Sequence, residues 1–320
     1  MLTAAATLSL SGQLRLQGRQ AARGLELWAS TEDIDLQIVD DAGSPAKAID
    51  EYREWLGTGV DVLLSPYGSG LVRRVGPLVS AHGSLLWNHG GSADDLARQF
   101  IVSIPAAAST YFVGAVELAH RRGLQEIVLV HGRGRFASVV VAGARQRATD
   151  LGLDVREMDI KGWSSSGSLG DAGVLIVGRF AEDVALVEQI RADRDVGLVG
   201  CVAAGLLEFG RRLGAAADEV VAPVQWIADA ADPEVGPSGA EFRLNYQDRY
   251  GELPGYVAAQ AAAAGHLGSE AHRRQFSHHD IRRWKTTSLL GPFELDKAWR
   301  QIGHGPLTIE WRNGEQVQAT

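Results

Sequence analysis

Short apolar runs and amphipathic segments alternate along almost the whole chain. Residues 2–10 read as a strand, 13–28 as a helix with Leu14, Ala21, Leu25 and Trp28 along one side, and 34–39 as the next strand. Ser44-Pro45 places a capping hydroxyl ahead of a proline at the first helical position, so a helix starts there; it runs to about Leu56 and Gly57 ends it. Residues 60–64 and 84–87 have the pattern of buried parallel strands, and each opens a segment of helical spacing. After Pro105 the pattern restarts. A helix over 108–121 leads to strand 126–130, helix 137–151, and strands 155–160, 174–177, 198–202 and 220–224, with helices over 182–192 and 206–213. Residues 238–269 are helical and include an alanine-rich run at 258–264 that must pack tightly. The tail holds two more strands, 289–295 and 307–311, the second followed by the turn Asn313-Gly314. Such alternation predicts an α/β fold of doubly wound parallel sheets with helices on both faces. Its restart predicts two lobes of that kind.

At 320 residues the chain is too long for one core and suits two domains of roughly 150 residues each. Lobe 1 is assigned to 1–107 and 228–286, and lobe 2 to 108–227 and 287–320. No low-complexity linker separates them, so a stiff hinge of about three crossings and closure around a ligand are expected. A net charge of −8 argues against nucleic acid, because a protein that neutralises phosphates carries a basic surplus. Cys201 is the only cysteine; it lies in an apolar run, which excludes an intrachain disulfide and reads as a small buried hydrophobe. No stretch is apolar for long enough to span a bilayer. Residues 1–12 lack the basic start and apolar core of an export signal, so the expected location is extracytoplasmic if a signal was trimmed and cytoplasmic if Met1 is the native start.

Candidate chemistry concentrates in two strand-to-helix turns, residues 65–70 (SPYGSG) and 87–92 (WNHGGS). Small and hydroxyl residues at the carboxyl end of a parallel strand leave backbone N–H groups pointing outward, which suits an anion. Ser69 with its neighbouring amides, and Gly90 and Gly91 with the Ser92 hydroxyl, are the candidate grip; Ser92 is also placed to cap the next helix. Tyr67, Phe136, Phe180 and Trp226 stand at or just past strand ends, where they could line a pocket between two lobes or belong to the core. A third motif, Gly132-Arg133-Gly134-Arg135-Phe136-Ala137, fits G-x-G-x-x-A after a strand, with Asp159 where a dinucleotide fold places its ribose acid. The large Phe136 and the absence of a hydride-transfer partner weigh against it. No G-x-S-x-G elbow, H-E-x-x-H pair or phosphate-binding G-x-x-x-x-G-K-[ST] loop occurs, and His278-His279 open a polar helix where metal ligation is not expected. No cofactor, metal or catalytic residue is assigned.

With these residues in place, the chain resembles type I periplasmic solute-binding proteins, in the branch of the leucine/isoleucine/valine-binding proteins of ABC importers. The resemblance covers nearly the whole length. It is carried by residues 8–18 (LSLSGQLRLQG), the helix over 19–28, and the paired turns at 61–69 and 85–96. Residues 250–265 (YGELPGYVAAQAAAAG) and 291–296 (GPFELD) carry it more specifically. The resemblance implies a ligand carboxylate held at Ser69, Gly90, Gly91 and Ser92, and walls from Gln17, Tyr67, Phe136 and Phe180; Asn88, in the same turn, and Trp226, past a strand end, are further candidates from the residues themselves. It further implies a small-molecule ligand, a membrane permease as partner, and no enzymatic activity. The chain departs where the family holds an ammonium. The acidic positions fall on 202–204 (Val202, Ala203, Ala204) and on Ala108. A buried ammonium without a carboxylate is costly, so either Glu182 or Glu208 substitutes or the ligand lacks an amine. A cytosolic small-molecule sensor on the same fold is the alternative reading, and an NAD-dependent enzyme the weaker one.

Overall fold

The computed structural model describes residues 1–163, 169–193, 195–228 and 232–320. The chain runs β1 (Leu2–Leu8), α1 (Arg15–Glu32), β2 (Ile34–Asp40), α2 (Pro45–Thr58), β3 (Val62–Leu64), α3 (Ser69–His82), β4 (Leu86–Asn88) and β5 (Ile101–Ser103). It continues through α4 (Val113–Arg121), β6 (Glu126–His131), α5 (Arg135–Asp150), β7 (Asp154–Asp159), β8 (Leu169–Val177), α6 (Phe180–Asp193), β9 (Val196–Cys201), α7 (Leu207–Leu213) and β10 (Val220–Val224). The remainder is α8 (Gly239–Tyr250), α9 (Tyr256–Arg273), α10 (His278–Arg283), β11 (Thr286–Ser288), β12 (Gly291–Phe293), β13 (Leu307–Arg312) and β14 (Glu315–Gln318). Short 3-10 turns connect several of these.

Two units result: Met1–Ala107 with Gln225–Gly305, and Ala108–Val224 with Pro306–Thr320. Unit 1 holds a parallel five-stranded sheet in the order β2-β1-β3-β4-β5. Unit 2 holds a seven-stranded sheet in the order β14-β13-β10-β9-β8-β6-β7, parallel from β10 to β7 and closed by the antiparallel β13 and β14. Each unit is therefore α/β and wound about a parallel sheet, with an antiparallel edge added in unit 2. In open sheets ligands settle where strand order reverses direction, outside the carboxyl ends. That point lies between β1 and β3 in unit 1 and between β6 and β8 in unit 2.

Several local expectations shift for identifiable reasons. Ser44 caps α2 by accepting from Lys47 N–H at 3.4 Å, but the helix passes Gly57 and stops at Gly59, whose φ of 77° makes the left-handed cap. The helix expected over 238–269 is two helices, because Pro254 lies between the left-handed cap at Gly251 (φ 69°) and the start of α9. Only a single turn, Asp94–Leu96, follows β4. Ala93 stands at its N-cap with no side-chain bond, so Ser92 caps no helix. The strand expected over 289–295 is the β11–β12 hairpin, turning at Leu289-Leu290 with Gly291 at φ 107°. Residues 287–305 thus belong to unit 1, as does Trp226, in place of the lobe assigned from sequence.

The alanine-rich run has a steric cause. Ala258, Ala259 and Ala261 to Ala264 are at most 1% exposed on α9, which packs closely along α1. A Cβ built on Gly24 of α1 would sit 2.1 Å from the Ala258 carbonyl oxygen, and one on Gly265 would sit 2.3 Å from the Trp28 ring. Gly24→Ala should force the helices apart and lower unfolding free energy by about 1–3 kcal/mol, the cost of overpacking a filled core. Equilibrium denaturation measures this, and unchanged stability would contradict the close approach.

Candidate functional site

At the carboxyl edge of the unit 1 sheet, β3 and β4 lead into two turns that are bonded to each other. Ser65, fully buried just after β3, accepts the N–H groups of His89 (3.2 Å) and Gly90 (3.1 Å) on its Oγ. The Gly68 N–H returns a bond to the Gly90 carbonyl at 2.8 Å. Asn88, also fully buried, accepts the Gly91 N–H on Oδ1 at 2.9 Å and donates through Nδ2 to the Gly91 carbonyl at 2.7 Å. Gly90 packs so closely that a Cβ there would lie 2.1 Å from the Pro66 carbonyl oxygen. The two turns thus form one ledge whose polar groups largely satisfy each other.

This arrangement corrects three assignments. The single N–H of Gly90 and that of Gly91 are spent on Ser65 and Asn88, and the Asn88 amide is spent on its own turn. Neither glycine N–H is left for a ligand, and Asn88 is fully buried. Ser69 is differently placed. It is half-buried at the start of α3, after Gly68 (φ 98°), and its Oγ accepts the Ala93 N–H at 3.1 Å. Its own O–H proton has no acceptor among the described residues. The first internal bonds of α3 run from the Leu71 and Val72 amides to the Gly68 carbonyl, leaving the Ser69 and Gly70 N–H groups ahead of them without an acceptor there. Tyr67 and Ser92 flank the same ledge, both half-buried. Gln17 lies in the first turn of α1, on the other side of the strand-order reversal, and Leu14 of the same segment lies 3.0 Å from where a Gly68 Cβ would be.

In unit 2, the Gly132 N–H donates to the Val177 carbonyl at 2.9 Å and joins the ends of β6 and β8. Phe136 and Phe180 stand at the starts of α5 and α6, near this junction in the chain. Phe136 packs edge-on against Tyr111, ring centroids 5.7 Å apart, at the margin of the core. Trp226 is in unit 1, 6% exposed and edge-on to Phe242 at 5.6 Å; it is a core residue, not a wall of unit 2. The acid proposed for ribose, Asp159, caps Lys161 N–H at 2.9 Å and pairs with Arg133 at 3.5 Å. That commitment leaves the glycine motif without its second element. Glu208 forms an exposed ion pair with Arg211 at 3.6 Å. Glu182 accepts the Arg179 N–H at 3.1 Å, and its Oε2 lies 3.6 Å from where a Gly132 Cβ would be. Ala203, Ala204 and Ala108 are buried.

Sequence reasoning passed over three residues. Ser65 was legible as part of a turn but not as its lock, since its acceptor role depends on a strand more than twenty residues away. His89 is fully buried with neither ring nitrogen bonded, and burial holds its pKa down at about 4. Asp183 sits beside Cys201, fully buried as expected, whose thiol contributes a hydrogen bond. Burial pushes the Asp183 pKa up to about 7 despite that bond and those from Ala203 and Gly178 amides. Glu182 beside it in sequence drew attention; Asp183 gave no separate signal.

Two α/β units, each presenting turns at the reversal point of its sheet, are the architecture of a two-lobed binding-protein fold. The chain belongs to the periplasmic binding protein family, whose model matches residues 2–280. No curated protein matches it in sequence. Among solved structures it is similar to a leucine-binding protein of Thermotoga maritima, at 15% identity and TM-score 0.86, covering 100% of this chain and 98% of that one. It is also similar to an R. palustris ABC-transporter solute-binding protein in complex with benzoate (18%, TM-score 0.79, 99% and 95% covered). A third is a branched-chain amino acid binding protein of Streptococcus pneumoniae in complex with isoleucine (15%, TM-score 0.82, 99% and 97%). No helix among the described residues is long and apolar enough to cross a membrane.

Proposed function

We propose that the chain captures a small carboxylate-bearing solute outside the cytoplasm and delivers it to the permease of an ABC importer. The observation that carries this reading is the ledge. Its glycine amides are locked internally, while the Ser69 hydroxyl and the first amides of α3 stay without an acceptor at the strand-order reversal. A carboxylate there would meet hydroxyl and amide donors and the positive end of a 14-residue helix. Closure of unit 2, bringing Phe136 and Phe180 over the solute, is the proposed route of capture. Alanines at 203, 204 and 108, where the family resemblance places acids, favour an acid without an amine. The leucine and isoleucine of the similar structures and the benzoate of another bracket the size of such a solute.

Replacing Ser69 and Ser92 together by alanine should weaken solute binding by about 1–3 kcal/mol in total, roughly 5- to 150-fold, because each hydroxyl would give a charge-assisted bond. A thermal-shift screen of aliphatic, aromatic and amino acids finds the solute, and calorimetry on the double variant then reads the loss. Equal affinity in the two proteins would remove the serines from the grip.

A further inference from the structure

A cavity beside the ledge is lined by an arginine, Arg300, that forms no ion pair among the described residues. It lies wholly within unit 1, is lined by Gly91, Ser92, Asp94, Ser103, Pro105 and Arg300 among others, and has a volume of about 10 Å³. That is room for about one water-sized group. The Arg300 Nε is buried and has no hydrogen-bond partner among the described residues. Among the described residues no ion pair of Arg300 is seen. Ser103, 8% exposed, makes no hydroxyl hydrogen bond among the described residues. Leaving a guanidinium N–H desolvated and unpaired is costly, more so than for a neutral donor.

The turn that carries Arg300 is built to hold it still. Asp296 accepts the N–H groups of Ala298 (2.8 Å) and Arg300 (2.9 Å) on Oδ1, and its own N–H donates to the Arg300 carbonyl at 2.9 Å. Trp299 adopts φ 65°, uncommon for a bulky residue, and its ring rests edge-on against Phe100 with centroids 5.9 Å apart. A strained, doubly capped turn therefore fixes a charge at the wall of an oxygen-sized hole. The ledge reaches the same hole through Ala93, which lines it and whose N–H is held by Ser69.

We infer that Arg300 is the counter-ion of the solute's carboxylate, receiving one of its oxygens in this cavity, and that it makes the site select net anions over zwitterionic amino acids. The inference rests on the solute-capture reading and sharpens its substrate class. Arginine suits the task because its fork matches a carboxylate and its charge cannot be titrated away. A zwitterion would bring an ammonium with no acid at 203 or 204 to offset it.

The test uses wild type, Arg300→Gln and Arg300→Lys, with formate, acetate, benzoate and L-isoleucine as probes in thermal melts and calorimetry. Acetate and benzoate should stabilise wild type, bind Arg300→Gln at least about tenfold more weakly, and bind Arg300→Lys at an intermediate level. L-isoleucine should bind wild type at least about tenfold more weakly than benzoate. Equal responses of wild type and Arg300→Gln to every probe, including none, would overturn the inference. If L-isoleucine binds both tightly and equally, solute capture stands and Arg300 is not its counter-ion. If only formate and acetate discriminate, the Arg300 subsite stands and capture of a larger acid falls. Should Arg300→Gln not fold, the comparison of wild type with Arg300→Lys decides, an unchanged affinity counting against Arg300.

Discussion

Ser65→Ala should destabilise unit 1 by about 2–4 kcal/mol and abolish solute binding together with it. The Ser65 hydroxyl accepts two amides, those of His89 and Gly90, from a site with no exposure to water. Its removal leaves both N–H groups buried and unpaired, at about 1–3 kcal/mol each. The ledge that presents Ser69 would lose its connection between β3 and β4, so affinity falls through geometry and not through a lost ligand contact. The contrast with Ser69→Ala is diagnostic, because that change should lower affinity while leaving the fold nearly as stable. Urea denaturation paired with calorimetry separates the two. A Ser65→Ala protein as stable as wild type would show that the ledge is not held by this hydroxyl.

The second large effect is a pair of opposed pH responses, one in each unit. In unit 2, burial raises the Asp183 pKa from 3.8 to about 7, and its neighbour Glu182 adds to the rise. The folded chain then keeps a proton there that the unfolded chain releases near pH 4. Stability from this group is full below about pH 4 and is lost as pH rises through 7, by roughly 4 kcal/mol. In unit 1, burial lowers the His89 pKa from 6.5 to about 4. The unfolded chain takes up a proton below 6.5 that the folded chain refuses. Stability from His89 is full above about pH 6.5 and is lost as pH falls through 4, by roughly 3 kcal/mol. Amide hydrogen exchange at acid and neutral pH should therefore show unit 2 gaining protection in acid while unit 1 loses it. Asp183→Asn should flatten the response of unit 2, and His89→Leu that of unit 1. If both units shift in the same direction and neither variant changes the slope, the two buried groups do not titrate as their surroundings require.

Much of the architecture was legible in the sequence because it rests on local rules. Apolar runs of three to seven residues followed by amphipathic segments mark parallel strands and their helices, and the Ser44-Pro45 start held to the residue. What failed also failed locally. The break at Pro254 was overridden by the helical spacing on either side. The three-residue β5 had too few apolar positions to register, and its strand character comes from pairing with β4. The hairpin in place of a single strand over 289–295 turned on one glycine at positive φ.

The composition of the ledge was likewise visible from the sequence alone: glycine and serine turns at the carboxyl ends of adjacent strands, with a first helix entering beside them. Which of those groups remain open to a ligand was decided only by tertiary structure. A hydrogen-bond donor is spent or spare according to an acceptor that may lie anywhere in the chain. Ser65 and Asn88 close Gly90 and Gly91, while Ser69 is left with a proton to give. Trp226 looked like a wall and is core, because β10 hands the chain back to unit 1 just before it. Arg300 carried no sequence signal at all. Its charge matters because the Asp296 turn brings it from the far end of the chain to a cavity shared with Ser92, where its Nε is buried without a partner among the described residues.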